Sequence, residues 1–140
     1  MIHRILDTSV AVAWYLPESF SSAARQWQRM MLEGRAELWA PSLHFWEFAN
    51  VLRTRLRRGE LDRDVAFEIY ALHLEAPIVQ VEPQKGSVLE TALRYEATAY
   101  DAVYLALSLE HGIPFLTGER PTTAWLKKLG ELADCIQEVR

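Results

Sequence analysis

Two hydrophobic patterns alternate along the chain. Short apolar runs bounded by turn residues predict buried strands, and longer segments with apolar residues at helical spacing predict helices. The predicted strands cover Ile2–Leu6, Ala36–Ala40, 78–81, 114–117 and, with the weakest pattern, 135–139. The predicted helices cover 8–16, 19–33, 42–58, 62–74, 86–96, 101–111 and 122–129.

Residues typical of helix ends support these boundaries. Ser42 is a favourable N-cap for the helix that continues to Arg58, and Gly59 is expected to end that helix. Strands that alternate with helices predict an α/β fold with a mostly parallel sheet covered on both faces, in one domain over residues 1–140. In such sheets ligands bind at the carboxyl ends of the strands, near the switch point in strand order.

The composition indicates the class of protein and the cellular compartment that fit this domain. Half of the 140 residues are hydrophobic and 24% are charged, as in an ordinary globular protein. Cys135 is the only cysteine, which excludes a disulfide within the chain and fits a reducing cytoplasm. Charged residues interrupt the N-terminus too early for a signal peptide, and no apolar run is long enough to span a membrane. We therefore expect a cytoplasmic protein.

The net charge of −4 argues against a general nucleic-acid-binding domain, because such domains are usually basic. A metal-dependent nuclease is an exception, since its site gathers carboxylates whose charge is partly offset by bound Mg²⁺. Two basic stretches fit either phosphate contacts or a solvated helix face: Arg53, Arg55, Arg57 and Arg58, and Lys127 and Lys128.

Two acidic residues follow predicted strands. Asp7 comes directly after the first strand, and Glu119 follows the strand 114–117 and Gly118. Taken alone, Asp7 is better explained as an Asx turn or as the N-cap of the next helix. Glu119 alone is an ordinary solvated loop residue.

Two further acidic residues lie on predicted helices. Glu47 stands among aromatic and aliphatic neighbours, where a carboxylate has to be paired, protonated, metal-bound or extended to solvent. Asp101 opens an apolar helix, and its spacing from Thr98 is that of a capping box, which explains Asp101 without any function.

The combination of the four acidic residues is more informative than any one of them. Two leave the carboxyl ends of strands, and the other two lie on helices that could flank that end. Carboxylates and waters are the ligands that Mg²⁺ prefers. Other chemistries have less support, because the chain has no glycine-rich phosphate loop, no serine-hydrolase elbow and no histidines at metal-ligand spacing.

Four segments carry a resemblance to a known family. They read ILDTSV at 5–10, WEFANVL at 46–52, AYDAVYLAL at 99–107 and GIPFLTGE at 112–119. In this order, and with the chain length and the order of elements, they resemble PIN-domain nucleases, in particular VapC-type toxins of toxin–antitoxin systems. The resemblance covers nearly the whole chain.

The resemblance implies a parallel sheet of order 3-2-1-4-5 and a site with defined residues. Asp7, Glu47 and Asp101 match the metal-binding acids of the family, and Glu119 stands where the family usually has aspartate after a threonine. The resemblance makes these four the expected catalytic and metal-binding residues. Three hydroxyl residues are expected to support them or to contact substrate: Thr8, Ser9 and Thr117.

The activity that the resemblance implies is endoribonuclease cleavage by metal-activated water, with Mg²⁺ or Mn²⁺ as the cofactor. It also implies a cognate antitoxin as partner and a homodimer. Trp27, Met30 and Met31 form an apolar stripe on the second predicted helix, which suits a partner helix or this protein's own core.

Three other interpretations stay open at this point. The chain could be a PIN-domain nuclease for RNA processing without an antitoxin, or a catalytically silent PIN-like module that binds a partner. A phosphoacceptor receiver domain is also small and doubly wound. It would need an aspartate where the strand 78–81 ends, and the chain has Glu82 and Pro83 there.

Overall fold

A computed structural model describes residues 1–137 of the chain. The strands are β1 (Ile2–Leu6), β2 (Ala36–Ala40), β3 (Val79–Gln80), β4 (Phe115–Thr117) and β5 (Ala133–Cys135). The helices are α1 (Thr8–Tyr15), α2 (Ser21–Leu32), α3 (Leu43–Arg57), α4 (Arg63–Leu74), α5 (Lys85–Tyr95), α6 (Ala99–His111) and α7 (Ala124–Leu129). A short 3-10 helix, Gly130–Leu132, precedes β5.

The strands form one parallel sheet in the order β3-β2-β1-β4-β5, which confirms the predicted order. Ile5 of the central strand β1 lies opposite Trp39 of β2 and Phe115 of β4. The chain first builds outward from β1 to β3 and then returns to the other edge of β1. The carboxyl ends of β1 and β4 therefore meet at the switch point in strand order, where such sheets bind ligands.

Successive side chains of the central strands point to opposite faces of the sheet and pack in two separate cores. Leu6, Leu38 and Leu116 pack on one face with residues of α1 to α4, and Ile5 and Phe115 pack on the other face with residues of α5, α6 and α7. Both faces of β1 are fully buried at Ile5 and Leu6. This covering explains why the strands read as short continuous apolar runs.

Several predicted boundaries were wrong by a few residues. The strand 78–81 is only Val79–Gln80, and the last strand is Ala133–Cys135 instead of 135–139, of which residues 138 and 139 lie outside the described part. Thr117 pairs with Cys135, so β5 stops where β4 stops. Helix α6 begins two residues early because Thr98 is its cap.

Ser42 takes the N-cap position of α3, but its side chain does not cap the helix as predicted. Its backbone is helical, and its side chain makes no capping hydrogen bond. Its backbone N–H instead donates to the Glu82 carboxylate at 2.7 Å. Gly59 follows α3 with a φ of +73°, a left-handed conformation that glycine adopts without steric cost.

The apolar stripe on α2 belongs mainly to this protein's own core. Met31 is buried in the core that α1 to α4 share, Trp27 packs against that core, and the Arg4 guanidinium lies 5.0 Å from the Trp27 ring. Within residues 1–137 there is no helix with the length and apolar character that a membrane crossing requires.

Candidate active site

A cavity of about 340 Å³ opens at the carboxyl ends of β1 and β4. All four acidic residues that the sequence singled out line it: Asp7, Glu47, Asp101 and Glu119. They reach it from four different parts of the fold, namely the end of β1, the interior of α3, the first turn of α6 and the loop after β4. The structure thus brings together residues that are separated by most of the chain.

The Asp7 carboxylate is fixed by two hydroxyl groups. Its Oδ2 accepts hydrogen bonds from Thr117 Oγ1 at 2.6 Å and from Ser9 Oγ at 2.8 Å. These hydroxyls in turn accept from the backbone N–H groups of Glu119 and Gly118, at 3.0 Å each. Asp7 occupies the N-cap position of α1 but makes no side-chain capping bond, so a capping role does not explain this carboxylate.

Burial and like charges work against ionisation of these carboxyls. The pKa of Asp7 is raised to about 6, mainly by burial; the Thr117 and Ser9 hydrogen bonds oppose the rise, and the charges of Glu119 and Glu47 add to it. Burial also raises the pKa of Asp101, and burial together with the Asp101 charge raises the pKa of Glu119. A bound cation would relieve this mutual repulsion.

Glu47 is held by hydroxyl groups on two other helices. Its Oε1 accepts from the Tyr104 hydroxyl at 2.5 Å and from Thr8 Oγ1 at 3.0 Å. Tyr104 lies on α6 and is almost fully buried. Within residues 1–137, Glu47 is hydrogen-bonded to these hydroxyl groups and forms no ion pair with an arginine.

Tyr104 is a site residue that the sequence analysis did not single out. It follows Asp101 by three positions on α6, so both side chains project toward the same end of the sheet. That spacing was the available signal. The cap at Asp101 is formed as predicted, since its backbone N–H donates to Thr98 Oγ1 at 3.0 Å, yet its carboxylate still lines the cavity.

Arg55 and Glu18 also line the cavity, and the sequence had not assigned Glu18 to it. Arg55 Nη2 lies 2.6 Å from Glu18 Oε1, and its Nε lies 3.6 Å from Glu60 Oε2. The member of the first basic stretch that reaches the site is therefore already paired. A phosphate contact from Arg55 would require it to exchange partners.

Close packing shapes one wall of the cavity. Phe20 lines it, and a Cβ added at Gly118 would lie 2.5 Å from Phe20 Cζ, far inside van der Waals contact. Gly118 is buried and lacks a positive φ, so a side chain here would displace the Phe20 ring and would not strain the backbone.

The donor set fits a hard divalent cation by its chemistry. Four carboxylates line one cavity, and the Asp7 carboxylate keeps Oδ1 free of side-chain hydrogen bonds within residues 1–137. Among these residues, no three acidic, histidine or cysteine side chains converge closely enough to hold one ion directly. Mg²⁺ usually keeps several of its waters and binds only one or two carboxylates directly, so this open arrangement is compatible with its usual coordination.

Known proteins resemble this chain over most of its length. The model of the PIN domain family matches residues 4–120. Ribonuclease VapC3 from Pyrobaculum aerophilum is 30% identical over 126 residues, which cover 83% of this chain and 88% of that protein. The crystal structure of PAE2754 from Pyrobaculum aerophilum superposes with a TM-score of 0.73 at 20% identity, over 97% of this chain and 92% of that one. The chain belongs to the PIN domain family.

Proposed function

We propose that the protein is a metal-dependent endoribonuclease and the toxin of a toxin–antitoxin pair. The observation that carries this proposal is the convergence of Asp7, Glu47, Asp101 and Glu119 on one cavity at the switch point of a PIN-domain sheet. A relative named as a VapC ribonuclease supports RNA as the substrate. The partners that we propose are RNA, a cognate antitoxin and a second copy of this chain.

The carboxylates have distinct tasks in the proposed reaction. Bound Mg²⁺ or Mn²⁺ would polarise the scissile phosphate and make a bound water nucleophilic at neutral pH. Asp7 is the central ligand because Thr117 and Ser9 fix its carboxylate, and Glu47 is held by Thr8 and Tyr104.

Asp101 is suited to orient the attacking water and to take its proton. Its carboxylate lines the cavity from the first turn of α6, where it could accept a proton from a water held at the site. The water oxygen forms a bond to phosphorus, the bond to the leaving ribose oxygen breaks, and that oxygen takes up a proton.

The test of this function uses the purified protein and total cellular RNA. We expect discrete cleavage products in Mg²⁺, and we expect expression of the protein alone to arrest the growth of a host cell, with relief on co-expression of the antitoxin. Intact RNA in Mg²⁺ and in Mn²⁺ would contradict the nuclease. Cleavage in vitro together with harmless high-level expression would favour an RNA-processing nuclease without an antitoxin.

Glu119 is expected to matter less than the other acidic residues. Its side chain is exposed at the cavity rim, and glutamate reaches one methylene farther than the aspartate usual in the family, so we propose that it contacts the ion through water. Glu119→Gln should lower the cleavage rate less than Asp101→Asn does and raise the Mg²⁺ concentration for half-maximal rate.

The two measurements are the rate at saturating Mg²⁺ and the Mg²⁺ dependence of that rate. A Glu119→Gln rate as low as that of Asp7→Asn at saturating metal would make Glu119 a direct ligand. No change in either quantity would leave a site of three acidic residues. Glu131→Gln, an exposed change on the short 3-10 helix, is the control.

A further inference from the structure

A line of polar groups leads from Glu47 away from the cavity and into the core. Thr8 Oγ1 lies 3.3 Å from His44 Nδ1, and His44 Nε2 lies 2.8 Å from His73 Nε2. His73 Nδ1 lies 3.1 Å from the Tyr15 hydroxyl, which is only partly buried. Both histidines are fully buried, on α3 and α4.

Burial favours the neutral form of both imidazole rings, and two neutral rings in this contact are opposite tautomers. Burial lowers the pKa of His44 to about 3, with His73 adding to the effect, and burial lowers the pKa of His73 to about 4. A neutral imidazole carries one proton. Since the contact joins Nε2 to Nε2, one ring must donate from Nε2 and the other must carry its proton on Nδ1.

The contact between Thr8 and the Glu47 carboxylate determines which tautomer each imidazole ring adopts. Glu47 Oε1 is an acceptor 3.0 Å from Thr8 Oγ1, so the single hydroxyl proton of Thr8 is directed to it. Thr8 Oγ1 can then only accept from His44, which places the His44 proton on Nδ1. Donation from Thr8 to the nearby Tyr104 oxygen would leave this conclusion unchanged.

The rest of the line follows from that assignment. His44 Nε2 carries a lone pair and accepts from His73 Nε2–H, so His73 Nδ1 accepts from the Tyr15 hydroxyl. Every donor therefore points toward Glu47. Phe48 stacks on the His73 ring with centroids 4.0 Å apart, which fixes the plane of that ring.

We propose that His44 and His73 are positioning residues for Glu47, each held in one tautomer so that the Thr8 hydroxyl stays directed at Oε1. The meaning of this role rests on the proposed function, in which Glu47 is a metal ligand. Thr8 and Tyr104 both donate to Oε1, which restricts Glu47 to one orientation and leaves Oε2 without a side-chain hydrogen bond among residues 1–137.

The first test is nitrogen NMR of the metal-free protein without RNA, near pH 7. Long-range proton–nitrogen spectra distinguish the two neutral tautomers. We expect His44 protonated on Nδ1 and His73 protonated on Nε2. The opposite pattern, or a doubly protonated ring, would overturn the proposal, because the donors would then point away from Glu47. This result is independent of whether the protein cuts RNA.

The second test compares two changes at His73. His73→Gln keeps an N–H donor near the position of Nε2, whereas His73→Leu removes it at similar volume. We expect His73→Leu to mix the tautomers of His44 and to raise the Kd for Mn²⁺ about tenfold. We expect His73→Gln to keep the His44 tautomer and nearly the wild-type Kd.

A purely structural pair would behave differently. If His73→Leu kept both the His44 tautomer and the wild-type Kd for Mn²⁺, His73 would only fill the core and the proposal would fail. If His73→Leu did not fold, the tautomers in the wild-type spectra would still decide the question, because they are read from the intact fold.

Discussion

We expect Asp7→Asn to remove most RNA cleavage and to leave the metal-free protein at least as stable as the wild type at neutral pH. Changes to residues that only support a metal ligand usually lower activity or metal affinity about 10- to 100-fold. Asp7→Asn removes the charge of a proposed ligand itself, so we expect the cleavage rate to fall by about a hundredfold or more. The amide oxygen of asparagine can still accept from Thr117 and Ser9, so the local geometry is kept.

The stability part follows from the raised pKa of Asp7. The folded carboxyl titrates at about 6 and the unfolded one at 3.8, so the folded protein binds more protons between these values. The free energy of unfolding therefore falls as the pH rises from about 4 to about 6. A full shift of two units would be worth about 3 kcal/mol. Solvent screening at the partly exposed carboxyl reduces this to about 1–2 kcal/mol.

We therefore expect Asp7→Asn to raise the melting temperature by about 3–6 °C at pH 7.5 and not at pH 4. Thermal unfolding in EDTA at both pH values measures this difference. Asp62→Asn is a matched control, because Asp62 is exposed and also stands at an N-cap without a side-chain capping bond. A clear fall in the melting temperature of Asp7→Asn at pH 7.5 would show that Asp7 stabilises the turn after β1.

We expect chelation of divalent ions to abolish cleavage and added Mg²⁺ or Mn²⁺ to restore it. The physical reason is that the site supplies carboxylates and no cationic group that is free to polarise a phosphate within the described residues, since Arg55 is paired with Glu18. Full activity in EDTA would contradict the proposed mechanism.

The same ions should stabilise the fold. A ligand that binds only the folded state adds about 2.7 kcal/mol at a concentration of 100 times its Kd. We expect the wild-type melting temperature to rise with Mg²⁺ concentration and that of Asp7→Asn to rise much less. An equal rise for both proteins would place the bound ions away from Asp7.

The sequence predicted those parts of the site that depend on strand order. Asp7 and Thr117 follow or end apolar strands, and the parallel arrangement brings the ends of those strands together. The four acidic residues were singled out from strand ends and helix positions, and the resemblance to PIN-domain nucleases added the three hydroxyl residues. Whether an acidic residue faces the cavity or solvent was not, because one helical position fits either.

The supporting network could not be predicted, because its members come from different helices. Tyr104 meets Glu47 across 57 positions, and His44 meets His73 across 29. Hydrophobic periodicity gives the buried face of each helix but not which residue lies opposite on the next one. The spacing of the histidines in the sequence argued against a metal site. It gave no indication that two of them would contact each other in the core.

The hydrogen bond from Thr117 to Asp7 closes a loop of 110 positions, and this has a consequence for synthesis of the chain. During translation β1 can pair with β2 early, whereas its other edge stays open until Phe115–Thr117 has left the ribosome. The nascent chain therefore has no assembled carboxylate cavity before β4 has emerged. An enzyme that attacks RNA would be harmless to the ribosome that makes it, and to its own message, until β4 has emerged and paired with β1.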